Sequence, residues 1–325
     1  MRALRQLFVI ARTTALEGLQ QPVYLLLSLT AAVLTLLGPL VQLFSFGEEG
    51  RLARDSGLAF MLVFGLFIVG LTSGFTLAEE LRRGTAAATL AKPVGRAVFL
   101  LGKFLGVMAS TLLFCFTMTL ATMLAERSAE HFVETPEFVG AIVDRYSGLG
   151  AIAAAALSLG VAALLNYRHR IRFGLAASVG LAVSQLATIL VCSFVTRTGD
   201  WSLSFAPQLN PRLPAAAFLV FLLLVLQCAL ATALSTRLRT GPTTAICGLV
   251  LFAGFLLDLA AGLPAPVRAL LAFIPNVQNF WRADALGNGG SLPAPYLAQA
   301  ALHALVLCTI YLGLGHAALR SRDIG

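Results

Sequence analysis

Four histidines, five cysteines and fifteen carboxylates are the side chains that could ligate a metal, act as a nucleophile or move a proton. None is spaced for that work. His131, His169, His303 and His316 fall in separate segments with no metal-site interval. Cys115, Cys192, Cys228, Cys247 and Cys308 form no CxxC pair, and each sits in an apolar run, where a thiol reads as a small packing residue. The nearest approach to a phosphate loop runs from Gly95 to Gly102-Lys103-Phe104. It has six intervening residues instead of four, and Phe stands where Ser or Thr must reach magnesium. No serine occupies a nucleophile elbow, and no paired carboxylates converge within an apolar run. The chain is therefore expected not to be an enzyme and to hold no cofactor of its own.

The elements that would carry any function are apolar. Hydrophobic residues make up 58% of the 325 and charged ones 12%, about half the charge of a soluble domain. The apolar residues come in runs near the ~20 residues that a helix needs to cross ~30 Å of hydrocarbon. Eight such runs stand at about 23–46, 58–77, 98–124, 148–166, 174–196, 214–235, 243–262 and 297–319. Their unbroken length excludes an outer-membrane barrel, whose strands alternate in shorter pieces. The expected fold is all-α, a polytopic transmembrane bundle forming one domain over 1–325. Because runs six and seven and the segment after them are ambiguous, six crossings plus a hairpin or re-entrant segment is the alternative.

The net charge of +8 would suggest nucleic acid in a soluble protein, but its distribution assigns it to topology. Threading eight spans from an inside N-terminus places 15 Lys and Arg inside and eight outside, as the positive-inside rule requires. Both termini are then cytoplasmic and no nucleic-acid surface is expected. The first run is too long for a signal-peptide core and lacks a cleavage pattern, so it is expected to stay in the mature protein.

Residues 1–21 place Leu4, Leu7, Phe8, Ala11 and Ala15 on one helical face and Arg2, Arg5 and Arg12 on another. That is the pattern of a helix in the cytoplasmic interface; a frayed terminus is the other reading. Residues 78–97 form the most charged inside loop, with room for a short helix ending before Pro93. The remaining inside loops, such as Asn166 to Phe173 with Arg168, Arg170 and Arg172, are too tight for a domain. Outside, residues 263–296 combine five prolines with Val267 to Ile274 and Phe280-Trp281, which suits an interfacial segment. Asp258 is the ionisable residue nearest a span interior, close to its outer end. With Phe280 and Trp281 it is the candidate for a pathway or gate, the alternative being an interfacial carboxylate. Gln185, Gln227 and His303 read as polar glue between helices. Gly70-x-x-x-Gly74 and Gly102-x-x-x-Gly106 can bring helices close together.

Glu79, Glu80, Gly84, Thr85, Lys92, Pro93, Arg96 and Gly102-Lys103 follow an E-x-x-x-G-T, K-P-V-x-R, G-K pattern. Ile274-Pro275-Asn276, Phe280-Trp281 and Arg322-Asp323-Ile324-Gly325 complete a layout that resembles the ABC-2 family of ABC-transporter permeases. The resemblance implies an exporter-type subunit of a bacterial inner membrane, paired with a second permease chain as homo- or heterodimer. A separate ATP-binding chain would dock beneath it and carry ATP and Mg. It further implies that residues 78–97, through Glu79, Glu80, Arg82, Arg83, Gly84, Thr85, Lys92 and Pro93, together with the N-terminal helix, couple the membrane helices to that ATPase. A solvated loop obeying the charge rule is the plain alternative. The extra apolar pair and the long outside loop at 125–147 depart from the common six-span layout. Other classes are an ion-coupled secondary transporter, which requires buried charge or broken-helix repeats, and a membrane scaffold of the same fold.

Overall fold

A computed structural model describes residues 2–41, 48–84, 95–135, 138–142, 144–197, 200–202, 209–262, 264, 271, 273–286 and 290–321. The helices are α1 (Arg2–Gln20), α2 (Pro22–Val41), α3 (Glu49–Ser73), α4 (Glu79–Arg82), α5 (Arg96–Ser128), α6 (Arg145–His169), α7 (Phe173–Cys192), α8 (Leu213–Ser235), α9 (Thr240–Phe255) and α10 (Ala294–Arg320). A π-helical turn, Gly74–Ala78, joins α3 to α4 without a break. The fold is all-α in its framework. One addition lies in the long loop after α5, where β1 (His131–Thr135) pairs antiparallel with β2 (Phe138–Ile142), His131 opposite Ile142.

Among the described residues, seven helices are long and apolar enough to cross a membrane. They account for seven of the eight expected runs. The remaining run forms α9, a 16-residue helix of about 24 Å, followed by a 3-10 turn over Leu257–Gly262. α9 packs against α3. Its Thr240 and Thr244 pack on Gly74 and Gly70 at one end, and its Gly254 meets Pro275 and Val277 at the other.

Helix length divides the bundle into two zones. α2 and α7 have 20 residues each, about 30 Å, the depth of the hydrocarbon layer. The stretch Glu49–Arg82 has 34 residues and α5 has 33, about 50 Å each. α7 ends level with Arg127 of α5, which donates to the Cys192 carbonyl. Its start lies beside Leu19 and Gln20, at the top of α1. Tyr24, one turn into α2, donates to the Ser110 carbonyl of α5 at 2.9 Å. From Ser110 down to Arg96, α5 therefore runs about 20 Å past the starts of α2 and α7. The end of α3, α4 and the last turns of α8 and α10 accompany it, with Gly315 against Ala233 and Leu100.

α1 packs along this overhang. Ile10 covers Gly102, Thr14 covers Gly106 and Gly18 faces Ser110, an equal advance on both helices that requires nearly parallel axes. A Cβ on Gly106 would stand 2.5 Å from the Thr14 Cβ and 2.7 Å from the Ala11 carbonyl. Gly102-x-x-x-Gly106 is thus the seat of α1, while Gly70-x-x-x-Gly74 is the seat of α9. The buried stripe of α1 accordingly runs through Ile10, Thr14 and Leu19, and Leu4 and Phe8 face outward, a rotation from the face expected of the sequence.

Candidate functional site

The overhang carries a cation that the membrane helices enclose. Lys103, in the second turn of α5, has a side chain 5% exposed. A buried ammonium persists only with compensating partners, and three elements supply them. Nζ lies 2.6 Å from Glu80 Oε1 on α4 and donates to the Thr76 carbonyl at 2.8 Å. It also stands 3.8 Å from Glu17 Oε2 on α1 and 5.8 Å from the centre of the Phe99 ring. The π-turn shifts the hydrogen-bond ladder by one residue, and Thr76 within it offers its carbonyl to Lys103. Glu17 titrates above the ordinary carboxylate range, chiefly because burial disfavours its charge. Lys103 opposes that shift and the Glu80 carboxylate adds to it.

Glu79 and Glu80, adjacent in sequence, do different things. Glu79 pairs within its own helical turn, 2.9 Å from Arg82 and 3.3 Å from Arg83; Glu80 crosses to α5. Gly84 follows at φ +73°, a left-handed residue that stops the helix where a Cβ would be strained. Thr85, Lys92 and Pro93 lie outside the described residues. Arg96 opens α5 and donates to the Leu319 and Arg320 carbonyls at 3.2 and 2.8 Å. Arg237 donates to the Ala318 carbonyl at 2.8 Å. Both cations sit on the negative end of the α10 dipole. α1, α4, α5 and α10 are thus tied together at one end of the bundle by charge.

The opposite end has its own joint, which sequence reading missed. Arg127 and Asp144, which fall within the stretch 125–147 expected to be an outside loop, form a fully buried ion pair at 2.7 Å. Arg127 also donates to the carbonyls of Cys192 and Val195 at the end of α7. Asp144 caps α6, accepting from the Ser147 amide at 3.0 Å and its hydroxyl at 2.7 Å. The neighbouring Glu126 accepts from Asn210 at 2.9 Å and stands 3.8 Å from Arg54 on α3. A capping pattern, Asp144-x-x-Ser147, was the one local signal available.

Asp258 is exposed in the 3-10 turn after α9 and accepts from Asn276 at 2.7 Å. Phe280 is fully buried, its ring 6.2 Å from that of His303. It lines a recess of about 190 Å³ with Asn279, Tyr296, Gln299, Ala300 and His303. Trp281 is half-buried beside the core. The glue role expected of Gln185 and Gln227 is not met, since both are buried and neither side-chain amide has a partner among the described residues. Also among the described residues, no three His, Cys, Asp or Glu side chains are grouped to hold a metal.

Residues 6–170, from α1 to the end of α6, match the family model described as "ABC-2 family transporter protein". The match takes in Glu17, Glu79, Glu80, Lys103, Arg127 and Asp144. No curated protein matches the chain.

Proposed function

The chain belongs to the ABC-2 transporter family, which makes it a permease of an ABC transporter, and from that premise we propose that its overhanging end is the cytoplasmic lever of an exporter. In this reading a separate ATP-binding chain, carrying ATP and Mg, docks against the α4 region and the foot of α1. A second permease chain completes the pathway, and the assembly lies in a bacterial inner membrane.

The observation that carries the proposal is Lys103. A lever works only if a push at its foot is not lost in the first turn of helix. The π-turn is a soft point between α3 and α4, and Lys103 braces it from both sides by holding the Thr76 carbonyl and Glu80 to α5. Displacement of α4 is thereby passed to α3 and α5 together, and through Glu17 to α1. The excess of Lys and Arg near this end supports its cytoplasmic placement.

The test is to purify the chain in mild detergent from its native membrane and identify what accompanies it by mass spectrometry. A stoichiometric ATP-binding subunit is expected. Its reproducible absence, with no effect of added Mg-ATP on the purified chain, would contradict the proposal.

A further inference from the structure

We propose that the turn between α6 and α7, with the adjoining top of α1, binds the phosphate-bearing headgroup of an anionic phospholipid, which holds that end of the α6–α7 hairpin in the bilayer. The inference rests on the membrane-spanning reading and is independent of ATP coupling.

Charge is the first argument. Arg168, Arg170 and Arg172 stand within five residues of each other, with His169 between them, and no Asp or Glu occurs from Arg145 to Gly199. The nearest carboxylate on a packed element is Glu17 of α1, already beside Lys103. Residues Asn166 to Phe173 are all exposed, and among the described residues no carboxylate pairs with these cations.

Backbone geometry is the second. Arg170 adopts φ 54°, a left-handed conformation that favours Gly or Asn. The turn is closed by Arg170 N donating to the Asn166 carbonyl at 3.0 Å and Asn166 Nδ2 donating to the Ile171 carbonyl at 2.7 Å. A long cation thus occupies a position that local conformation would give to glycine, and it is held there by a built turn.

Depth is the third. Arg172 donates to the side-chain carbonyl of Gln20, placing the turn where α1 ends and α2 enters the bilayer. α2 and α7 each match the hydrocarbon thickness from this level. The guanidinium groups are therefore at headgroup height, while α4 and Arg96 lie deeper in the overhang. Tyr167, 89% exposed, with Ile171 and Phe173 also exposed, supplies the amphipathic aromatic and apolar contacts found at that height.

The test uses the full chain and native mass spectrometry with phosphatidylglycerol and phosphatidylcholine. Wild type should retain phosphatidylglycerol preferentially, and Arg168→Gln/Arg170→Gln should weaken that retention about thirtyfold, from the usual contribution of a basic residue near an anionic surface. Arg168→Lys/Arg170→Lys and Arg82→Gln/Arg83→Gln should both keep it. No lipid preference in wild type, unchanged retention in the first variant, or an equal loss in the Arg82/Arg83 variant would overturn the site. Displacement of the lipid by inorganic phosphate would do so too, because the site would then serve a free anion. So would loss of a co-purifying protein with lipid retained, which would make the turn a protein-docking face. Independently of any variant, phosphatidylglycerol should slow hydrogen exchange at residues 166–173 of wild type; no protection there would contradict the proposal.

Discussion

Lys103 Nζ lies 2.6 Å from Glu80 Oε1, a contact that links the start of the segment expected to couple this permease to its ATPase with the helix that follows it. The pair joins the two longest membrane elements within the overhang, beyond the point where they leave the bundle of shorter helices. Its environment also explains why one of two adjacent glutamates matters more for that joint.

Replacing Glu80 by Gln should lower the thermal unfolding midpoint of the purified chain, by the equivalent of about 2 kcal/mol for one charge-assisted bond to a buried ammonium. Glu79→Gln should leave the midpoint at the wild-type value, since Glu79 meets solvent-exposed arginines of its own turn. Thermal denaturation in one detergent compares them directly; equal losses would show that Lys103 does not distinguish the two.

The spacing of these residues carried part of this information. Glu79, Arg82 and Arg83 stand at i, i+3 and i+4, which makes a local pair on one face and turns Glu80 away from it. What could not be read is the destination of Glu80. The π-turn changes the helical phase just before it, and nothing in an apolar run marks such a turn. Lys103 was legible as an inside charge but not as a buried one, because depth depends on how far α5 overhangs its neighbours. The membrane spans themselves were legible from length and hydropathy. α9 was the exception: its run continues into a 3-10 turn at Leu257, with the same apolar composition as a helix.

Gly106→Val should detach or displace α1. The added side chain would meet Thr14 and the Ala11 carbonyl, and overpacking of this kind costs about 1–3 kcal/mol. Gly160→Val, at a position where a Cβ meets nothing within 4 Å, is the matched control. Limited proteolysis at the N-terminus should report faster cleavage in the first variant alone. The two GxxxG motifs were visible in the sequence, but such a motif specifies close approach and not the partner. That left α1 and α9 unidentified as the helices they receive.

Arg127→Met should be the most damaging single change at the opposite end, costing about 3–5 kcal/mol because it leaves Asp144 charged, buried and without its cation. It also orphans the carbonyls of Cys192 and Val195. Hydrogen exchange should show the end of α7 and the start of α6 opening together. Protection equal to wild type in both would contradict the joint.

Glu17 gives a pH signature. Its folded pKa is raised, so the folded state binds this proton more tightly than the unfolded chain. Its contribution to stability is complete below the ordinary value of 4.5 and is lost as pH rises through the raised value. Glu17→Gln should therefore flatten the dependence of the unfolding midpoint on pH just above 4.5, without lowering the midpoint at neutral pH. A midpoint that falls at neutral pH would mean that the Lys103 contact outweighs the burial of Glu17.

The most direct test of the lever is the distance between spin labels at Trp201→Cys and Leu259→Cys, both exposed positions near the end opposite Lys103. The five native cysteines are buried and leave those sites to be labelled selectively. Measured in the complex with its ATP-binding chain, Mg-ATP should shift the distance distribution in the labelled protein and in its Glu79→Gln variant. In Glu80→Gln the ATP-binding chain should remain bound and hydrolyse ATP while the distribution stays still. A full ATP-driven shift in Glu80→Gln would contradict the claim that Lys103 and Glu80 carry the movement.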